Sequence, residues 1–369
     1  MPAVKIPVLV TAVGGGGFGE QILKALCIAN KEHNKYYIIA GDMNPYCPQF
    51  QMADESVCLP AASHEDYVNI LMSICKKKEC QALFPGNERE LTEIAKCRSV
   101  IEDTGILLLM NPTNVIETCM DKNKAGLVLD ELGFKPPRFK EARKFEELVD
   151  IDWFPVVIKP SSGAGGSAHC YIAQTIEELK YLVLYLNTAL PNQPFIVQEY
   201  VGDELSEYTV GILNDLDGNY INSIALHREL KNTMNVRAKY KNNTDRKELG
   251  NSLIVSSGIS HGYIGKFPEV TDKCRELAMA IGAKGAINIQ VRFVDGEIKV
   301  FEINPRFSGT TSLRAMMGYN EPDILLRKHI LGETIETDFE FKEGMILRNL
   351  VETEMPDTPA ASWEQYLNG

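Results

Sequence analysis

Two apolar runs, AINIQVRFV and EIKVFEINP, meet at Asp295-Gly296. An Asp-Gly pair between alternating segments is the strongest short-range signal for a β-hairpin. The hairpin carries Gln290 on one arm and, at alternate positions of the other, Glu302, Asn304 and formally Arg306. Alternate residues share one face of a strand, so these polar groups are predicted to project together. A carboxylate flanked by amide oxygens suits Mg2+, with Mn2+ as a substitute, because a hard cation takes oxygen donors and bridges phosphates. Arg306 is then expected where negative charge develops on a transferring phosphoryl group or an acyl phosphate. A surface strand with unrelated polar residues fits VFEINPRF poorly, since acid and amide interrupt an apolar run.

The segments around the hairpin define the organisation. EYTVGIL, NYINSIAL and SLIVSSG read as further strands of an antiparallel sheet. At the other end, residues 6–12, 36–42, 82–86 and 106–110 read as strands. They alternate with helical patterns at 21–30, 64–78 and 88–103, which predicts a parallel doubly wound sheet. Asn111-Pro112 marks a boundary. A helix over 121–132 then stops at Gly133, and residues 151–204 read as a small α+β unit with two strands and the helix 176–187. The expected division is 1–112, 113–204 and 205–369, α/β followed by α+β, with no internal repeat.

Two glycine loops invite different ligands. Gly14, Gly16 and Gly19 follow the first strand as G-x-G-x-x-G, and Asp42 closes the second strand where a dinucleotide fold keeps its ribose acid. No hydride-transfer site follows, so an NAD-dependent oxidoreductase ranks last among the readings. The second loop has stronger company. In PVVIKPSSGAGGSA, Lys159 ends an apolar strand, and Gly163, Gly165 and Gly166 follow among small residues from Ser162 to Ser167. Unobstructed backbone N–H groups beside an ammonium suit a triphosphate. The G-x-x-x-x-G-K-[ST] pattern is absent, so this is not a P-loop. Some forty residues on, IVQEYVGDELSEYTV places Glu199 and Val201 where a backbone carbonyl and N–H can meet an adenine, and Glu207 where a carboxylate can accept both ribose hydroxyls.

Charge and cysteine content narrow the class. The 50 acidic and 38 basic residues leave a net charge of −12, which disfavours nucleic acid and anionic membranes as partners. An anionic ligand therefore needs a local basic pocket. Nine cysteines without a C-x-x-C pair argue against a disulfide framework and a zinc site, and point to a cytoplasmic setting. Cys170 reads as a packed thiol, since no base accompanies it. The N-terminal run is broken by glycines and reads as a strand, not a signal peptide.

Together these residues resemble the ATP-grasp superfamily, and FEINPRFSGTTSLRAMMGYNEP is most similar to the branch of the carbamoyl-phosphate synthase large chain. The resemblance implies a Rossmann-like pre-ATP-grasp domain, then an ATP-grasp fold with a small central lid and a C-terminal antiparallel sheet, with ATP clamped between them. It makes Lys122, in MDKNKAG, the first phosphate-contacting lysine and Lys159 the second. It makes 163–167 the flexible phosphate loop, Glu199 and Val201 the adenine hinge, and Glu207 the ribose acid. Gln290, Glu302 and Asn304 become the metal ligands, and Arg306 the arginine beside the reacting phosphoryl group. The chain holds one such unit where the synthase has two, and no glutaminase-like region.

The expected reaction is that of an ATP-dependent ligase. A carboxylate attacks the γ-phosphate in line, and an amine, or alternatively a thiol, displaces phosphate from the acyl phosphate. Such chemistry rests on positioning and charge neutralisation. Within LHRELKNTMNVRAKYK, Arg228 or Arg237 is expected to meet the substrate carboxylate, against a solvated loop as the bland alternative. The competing readings are a carboxyphosphate-forming carboxylase, for which a biotinyl partner is expected, and a nucleotide-binding regulator without turnover. Small-molecule substrates are the expected partners, with a homodimer as the default assembly.

Overall fold

The computed structural model describes residues 5–162, 167–231 and 234–367. Its first unit is a parallel sheet of β1 (Ile6–Val10), β2 (Tyr36–Asp42), β3 (Glu55–Cys58), β4 (Ala82–Phe84) and β5 (Leu107–Leu108), in the order β3-β2-β1-β4-β5. The helices α1 (Phe18–Glu32), α2 (Tyr67–Lys77), α3 (Glu88–Lys96) and α4 (Arg98–Glu102) cover it. The expected helix over 88–103 is thus two, with a break at Cys97. The strand order reverses between β1 and β4, which opens a crevice at their carboxyl ends, the usual ligand position in such sheets.

Close backbone approach shapes that crevice. Gly19 N–H donates to the Gly86 carbonyl at 3.0 Å. A Cβ on Gly86 would lie 1.8 Å from the Thr11 oxygen and 2.9 Å from the Gly19 Cα. Gly86→Ala is therefore expected to cost about 2–3 kcal/mol, as overpacking against backbone does. The check is a lowered urea midpoint at unchanged m-value. The next turn is held by a capping box of Asn87 and Glu90 at the start of α3. The buried Glu90 carboxylate also accepts from Thr11 Oγ1 at 2.6 Å, Gly86 N–H at 2.9 Å and the Tyr67 hydroxyl.

Next come α5 (Thr113–Met120) and α6 (Lys122–Glu131), the latter capped by Asp121, which accepts from the N–H groups of Asn123 and Lys124. A four-stranded antiparallel sheet follows, of β6 (Phe139–Ala142), β7 (Val156–Pro160), β8 (Tyr171–Ala173) and β9 (Phe195–Glu199), ordered β6-β9-β7-β8 and covered by α7 (Ile176–Ala189). Two strands were expected within 151–204, where the structure has β7, β8 and β9, with β6 ahead of them. β6 (FKEA) and β8 (YIA) are too short to show a period of two.

The last unit is a six-stranded antiparallel sheet ordered β16-β15-β10-β11-β14-β17. Its members are β10 (Glu207–Asn214), β11 (Tyr220–Arg228), β14 (Gly262–Gly265), β15 (Ala286–Val294), β16 (Glu297–Asn304) and β17 (Gly344–Ile346), with α8 (Pro268–Ala280), α9 (Thr311–Met316) and α10 (Glu321–His329) packed around it. β12 (Val236–Lys241) and β13 (Ser252–Ser256) stand apart as a two-stranded sheet. SLIVSSG therefore does not join the large sheet. Leu253 and Val255 instead pack with Ile172 and Tyr200 from the small unit.

The cores explain what moves with what. One apolar cluster runs from Leu9 and Leu83 of the parallel sheet to Leu213, Ile224 and Phe307 beside the large sheet, whereas Ile158, Leu179, Phe195 and Val197 form a separate core in the four-stranded unit. A unit with its own core can shift as a body. Among the described residues, no helix is long and apolar enough to cross a membrane.

Candidate functional site

The register of the large sheet aligns its polar residues in rows. Pairing places Glu207 level with Arg292, Thr209 level with Gln290 and Glu302, and Gly211 level with Asn288 and Asn304, while Arg228 follows His227, the partner of Tyr208. Paired residues point to the same side, so a polar patch lies on the face opposite α8. A β-bulge at Phe301, between the Gln290–Glu302 and Val291–Val300 pairs, lets Phe301 and Glu302 both reach the same cavity. Bulges re-aim side chains in this way beside functional sites.

Lys159 reaches this patch from β7. Its ammonium donates to Gln198 Oε1 at 2.9 Å and to the Phe301 carbonyl at 3.1 Å. Burial lowers its pKa below the usual lysine value, and neighbouring Lys122 lowers it further, against the opposing pull of Cys170 and Glu302. A cavity of about 90 Å³ lies between the small and large sheets, lined by Lys122, Lys159, Ser167, Glu199, Val201, Glu207, Gln290 and Glu302. Lys159 and Glu302, 143 positions apart, thus face one space. Cys170 lines it too, but burial pushes its thiol up to about 11, so it stays protonated.

A second, broader cleft of about 1290 Å³ opens next to the first. Its walls include Gly15–Phe18 and Gly86–Glu88 from the switch-point crevice, together with Ser162, Thr209, Arg228, Arg237, Asn288 and Arg306. Ser167, Gln290 and Glu302 line both spaces, so they form the junction. There the Gln290 amide nitrogen donates to Glu302 Oε2 at 2.6 Å. Asn304 Oδ1 instead accepts from Arg306 Nη2 at 2.9 Å. Among the described residues, no group of three or more His, Cys, Asp or Glu side chains gathers to hold a metal. A cation at the junction would thus rest on one carboxylate, amide oxygens, phosphate and water, a set that fits Mg2+.

The expected residues have partners that the sequence did not show. Glu207 and Arg228 were assigned to separate ligands, yet they pair with each other at 3.2 Å, and Arg292 Nη2 meets Glu207 at 3.1 Å. Burial alone would raise the Glu207 pKa, but Arg228 and Arg292 outweigh it and hold the carboxyl below the usual range. Arg228 is no solvated loop residue; it is 4% exposed on β11. The Glu199 carboxylate turns to Arg138 at 2.9 Å and Arg246 at 3.0 Å. The Val201 carbonyl accepts from Arg292 Nη1 at 2.9 Å. Arg306 stands past the end of β16 and bonds Glu88 at 3.0 Å over the Phe18 ring. Gly163, Gly165 and Gly166 lie outside the described residues. Asp42, the ribose acid of the dinucleotide reading, spends its oxygens on the N–H groups of Gly14 at 2.7 Å and Asn44 at 2.9 Å. Sequence reasoning missed Thr209, Asn288, Arg292 and Glu88. Asn288 and Arg292 stand two positions either side of Gln290, so the same period of two marks them.

Fold and site together define a two-lobed clamp, in which a small sheet and a large sheet close on a narrow cavity whose floor opens into a wider cleft. The comparisons say what this clamp is similar to. Residues 15–109 match the model of the PylC-like N-terminal domain, and residues 192–353 match ATP-grasp in the biosynthetic pathway with Ter operon. The chain is 28% identical over 253 residues to the carbamoyl phosphate synthase large chain of Archaeoglobus fulgidus, covering 67% of this chain and 21% of that protein. It is 27% identical over 279 residues to that of Clostridium beijerinckii, covering 74% and 24%. It thus spans about a quarter or less of the length of these relatives. The biotin carboxylase domain of Hydrogenobacter thermophilus 2-oxoglutarate carboxylase, in complex with MgADP, ADP and bicarbonate, superposes with a TM-score of 0.61 at 18% identity, covering 90% of this chain and 71% of that one. The L-amino acid ligase of Bacillus licheniformis gives 0.59 at 14%, covering 88% and 74%. Over residues 192–353 the chain is thus similar to ATP-grasp proteins.

Proposed function

We propose that this protein is an ATP- and Mg2+-dependent carboxylate–amine ligase working through an acyl phosphate. The observation that carries the reading is the junction, where Glu302 and Gln290 line both the narrow cavity and the wide cleft. In this reading the narrow cavity takes the nucleotide. Lys122 and Lys159 neutralise its phosphates, Ser162 and Ser167 flank them, Glu199 and Val201 meet the adenine, and Glu207 meets the ribose. Glu302 and Gln290 would hold Mg2+, joined by Asn304 once Arg306 gives up its oxygen, and the ion would supply charge neutralisation. The chain then works as 1–112 for the acceptor side, 113–204 as linker and lid, and 205–369 as floor. The cavity, at about 90 Å³, falls well below the ~300–1,000 Å³ of ligand pockets. The four-stranded sheet, with a core of its own, can shift outward as the nucleotide enters.

Across the junction the substrate carboxylate lies in the wide cleft, where Arg306, Thr209 and Asn288 face it. The Thr209 hydroxyl is buried without a hydrogen-bond partner among the described residues, and the Asn288 oxygen is occupied by Arg314 at 2.8 Å, which leaves its N–H2 to donate into the cleft. The carboxylate attacks the γ-phosphorus, ADP leaves, and the acceptor displaces phosphate from the acyl carbon. The cleft, at about 1290 Å³, has room for an organic carboxylate.

The test incubates purified protein with MgATP and pairs drawn from amino acids and small carboxylates, following ADP. Release that requires an organic carboxylate supports the reading. Release with bicarbonate alone would favour carboxyphosphate chemistry. MgATP protection against thermal unfolding with no ADP from any carboxylate would favour a regulator without turnover.

A further inference from the structure

Arg306, the arginine the reaction needs, is held from the opposite lobe. Its Nη2 lies 3.0 Å from Glu88 Oε1, and the same nitrogen donates to Asn304 Oδ1 at 2.9 Å. Nη1 donates to the Phe307 carbonyl at 3.0 Å, and the guanidinium sits 4.6 Å over the Phe18 ring. Glu88 is the first residue of α3, on a turn anchored by the buried Glu90, so its carboxylate is presented from a rigid element into the wide cleft. Its side chain keeps 29% exposure and that of Arg306 15%, so both remain within reach of a ligand.

Resting on the ligase reading, we infer that Glu88 is the receptor for the acceptor's ammonium group, and that the acceptor takes Glu88 from Arg306 as it binds. Exchanging one cation for another leaves the carboxylate paired throughout. The bound ammonium passes one proton to Glu88, the amine so formed attacks the acyl carbon, and phosphate leaves with the second proton, while the released Nη2 turns its hydrogen bond to an oxygen of the acyl phosphate. Acceptor arrival and arginine availability become one event. A thiol acceptor carries no charge to offer Glu88, so the geometry selects an amine. The rival role for Glu88 is that of a strut that merely fixes Arg306, which predicts equal loss with every acceptor.

Hydroxylamine separates the two roles. At mildly alkaline pH it is uncharged, and it traps an acyl phosphate as a hydroxamate without an ammonium receptor. Wild type and Glu88→Gln are given MgATP, each carboxylate of the panel, and either hydroxylamine or an amino acid as the amine. The ratio of amide to hydroxamate is expected to fall about tenfold or more in Glu88→Gln, the loss of one charge-assisted hydrogen bond, whatever the absolute rates do. Glu88→Asp should recover part of it. An unchanged ratio, with both products falling together, would overturn the inference and leave the ligase reading standing. If wild type forms no hydroxamate with any carboxylate, the ligase reading itself fails and takes this inference with it.

Discussion

Glu302→Ala should lower carboxylate-dependent ADP release by about 100- to 1000-fold, the usual cost of removing one preorganised electrostatic contact from a phosphoryl-transfer site. Glu302 is the carboxylate of the junction, and Gln290, its partner at 2.6 Å, is an amide with no charge to substitute. The loss should therefore fall on MgATP affinity and turnover together. Lys159 would also lose a nearby negative charge that favours its protonated form. Because Glu302 is only half-buried, the fold should survive and the unfolding midpoint should stay close to wild type. Near-normal turnover in this variant would refute the metal assignment.

The largest stability loss is expected from Arg314→Met. Arg314 is 1% exposed and Glu321 is fully buried, paired at 2.9 Å. The guanidinium lies where a Cβ on Gly211 would be, 2.2 Å from Nη1, so only glycine at that point of β10 leaves it room. Removing the arginine alone strands the Glu321 carboxylate with Thr311 Oγ1 at 2.7 Å as its remaining hydrogen bond among the described residues. Breaking a buried pair from one side costs about 3–5 kcal/mol. Urea unfolding should show it as a lower midpoint. The double variant Arg314→Met/Glu321→Leu should regain much of the loss, since no charge is then left unpaired. Because Arg314 also fixes the Asn288 oxygen, the single variant should raise KM for the carboxylate as well. Wild-type stability in Arg314→Met would show that the pair contributes little.

Much of the site was legible because strands carry a local code. Gln290, Glu302 and Asn304 follow the period of two within a hairpin marked by Asp295-Gly296, and the structure pairs Gln290 with Glu302 and Asn288 with Asn304. The bulge at Phe301 was not legible, since it is a property of the pair of strands and not of either alone. The helix 121–132 and its stop at Gly133 were likewise local, and α6 with its Asp121 cap follows them closely. SLIVSSG reads as a strand and is one, but nothing in its residues says which strand it pairs with. Pairing partners are chosen by long-range packing, here against Ile172 and Tyr200.

The amino-acid order alone determined the alternation of elements and which side chains share a strand face, because both follow from backbone geometry over a few residues. Only the tertiary structure decided that Glu207 serves Arg228 and Arg292, and that Glu88 grips Arg306 across 218 positions. A carboxylate at the start of a helix has an ordinary local explanation in the helix dipole. Its further role arises when the fold carries it across a cleft to a charge it does not neighbour in sequence.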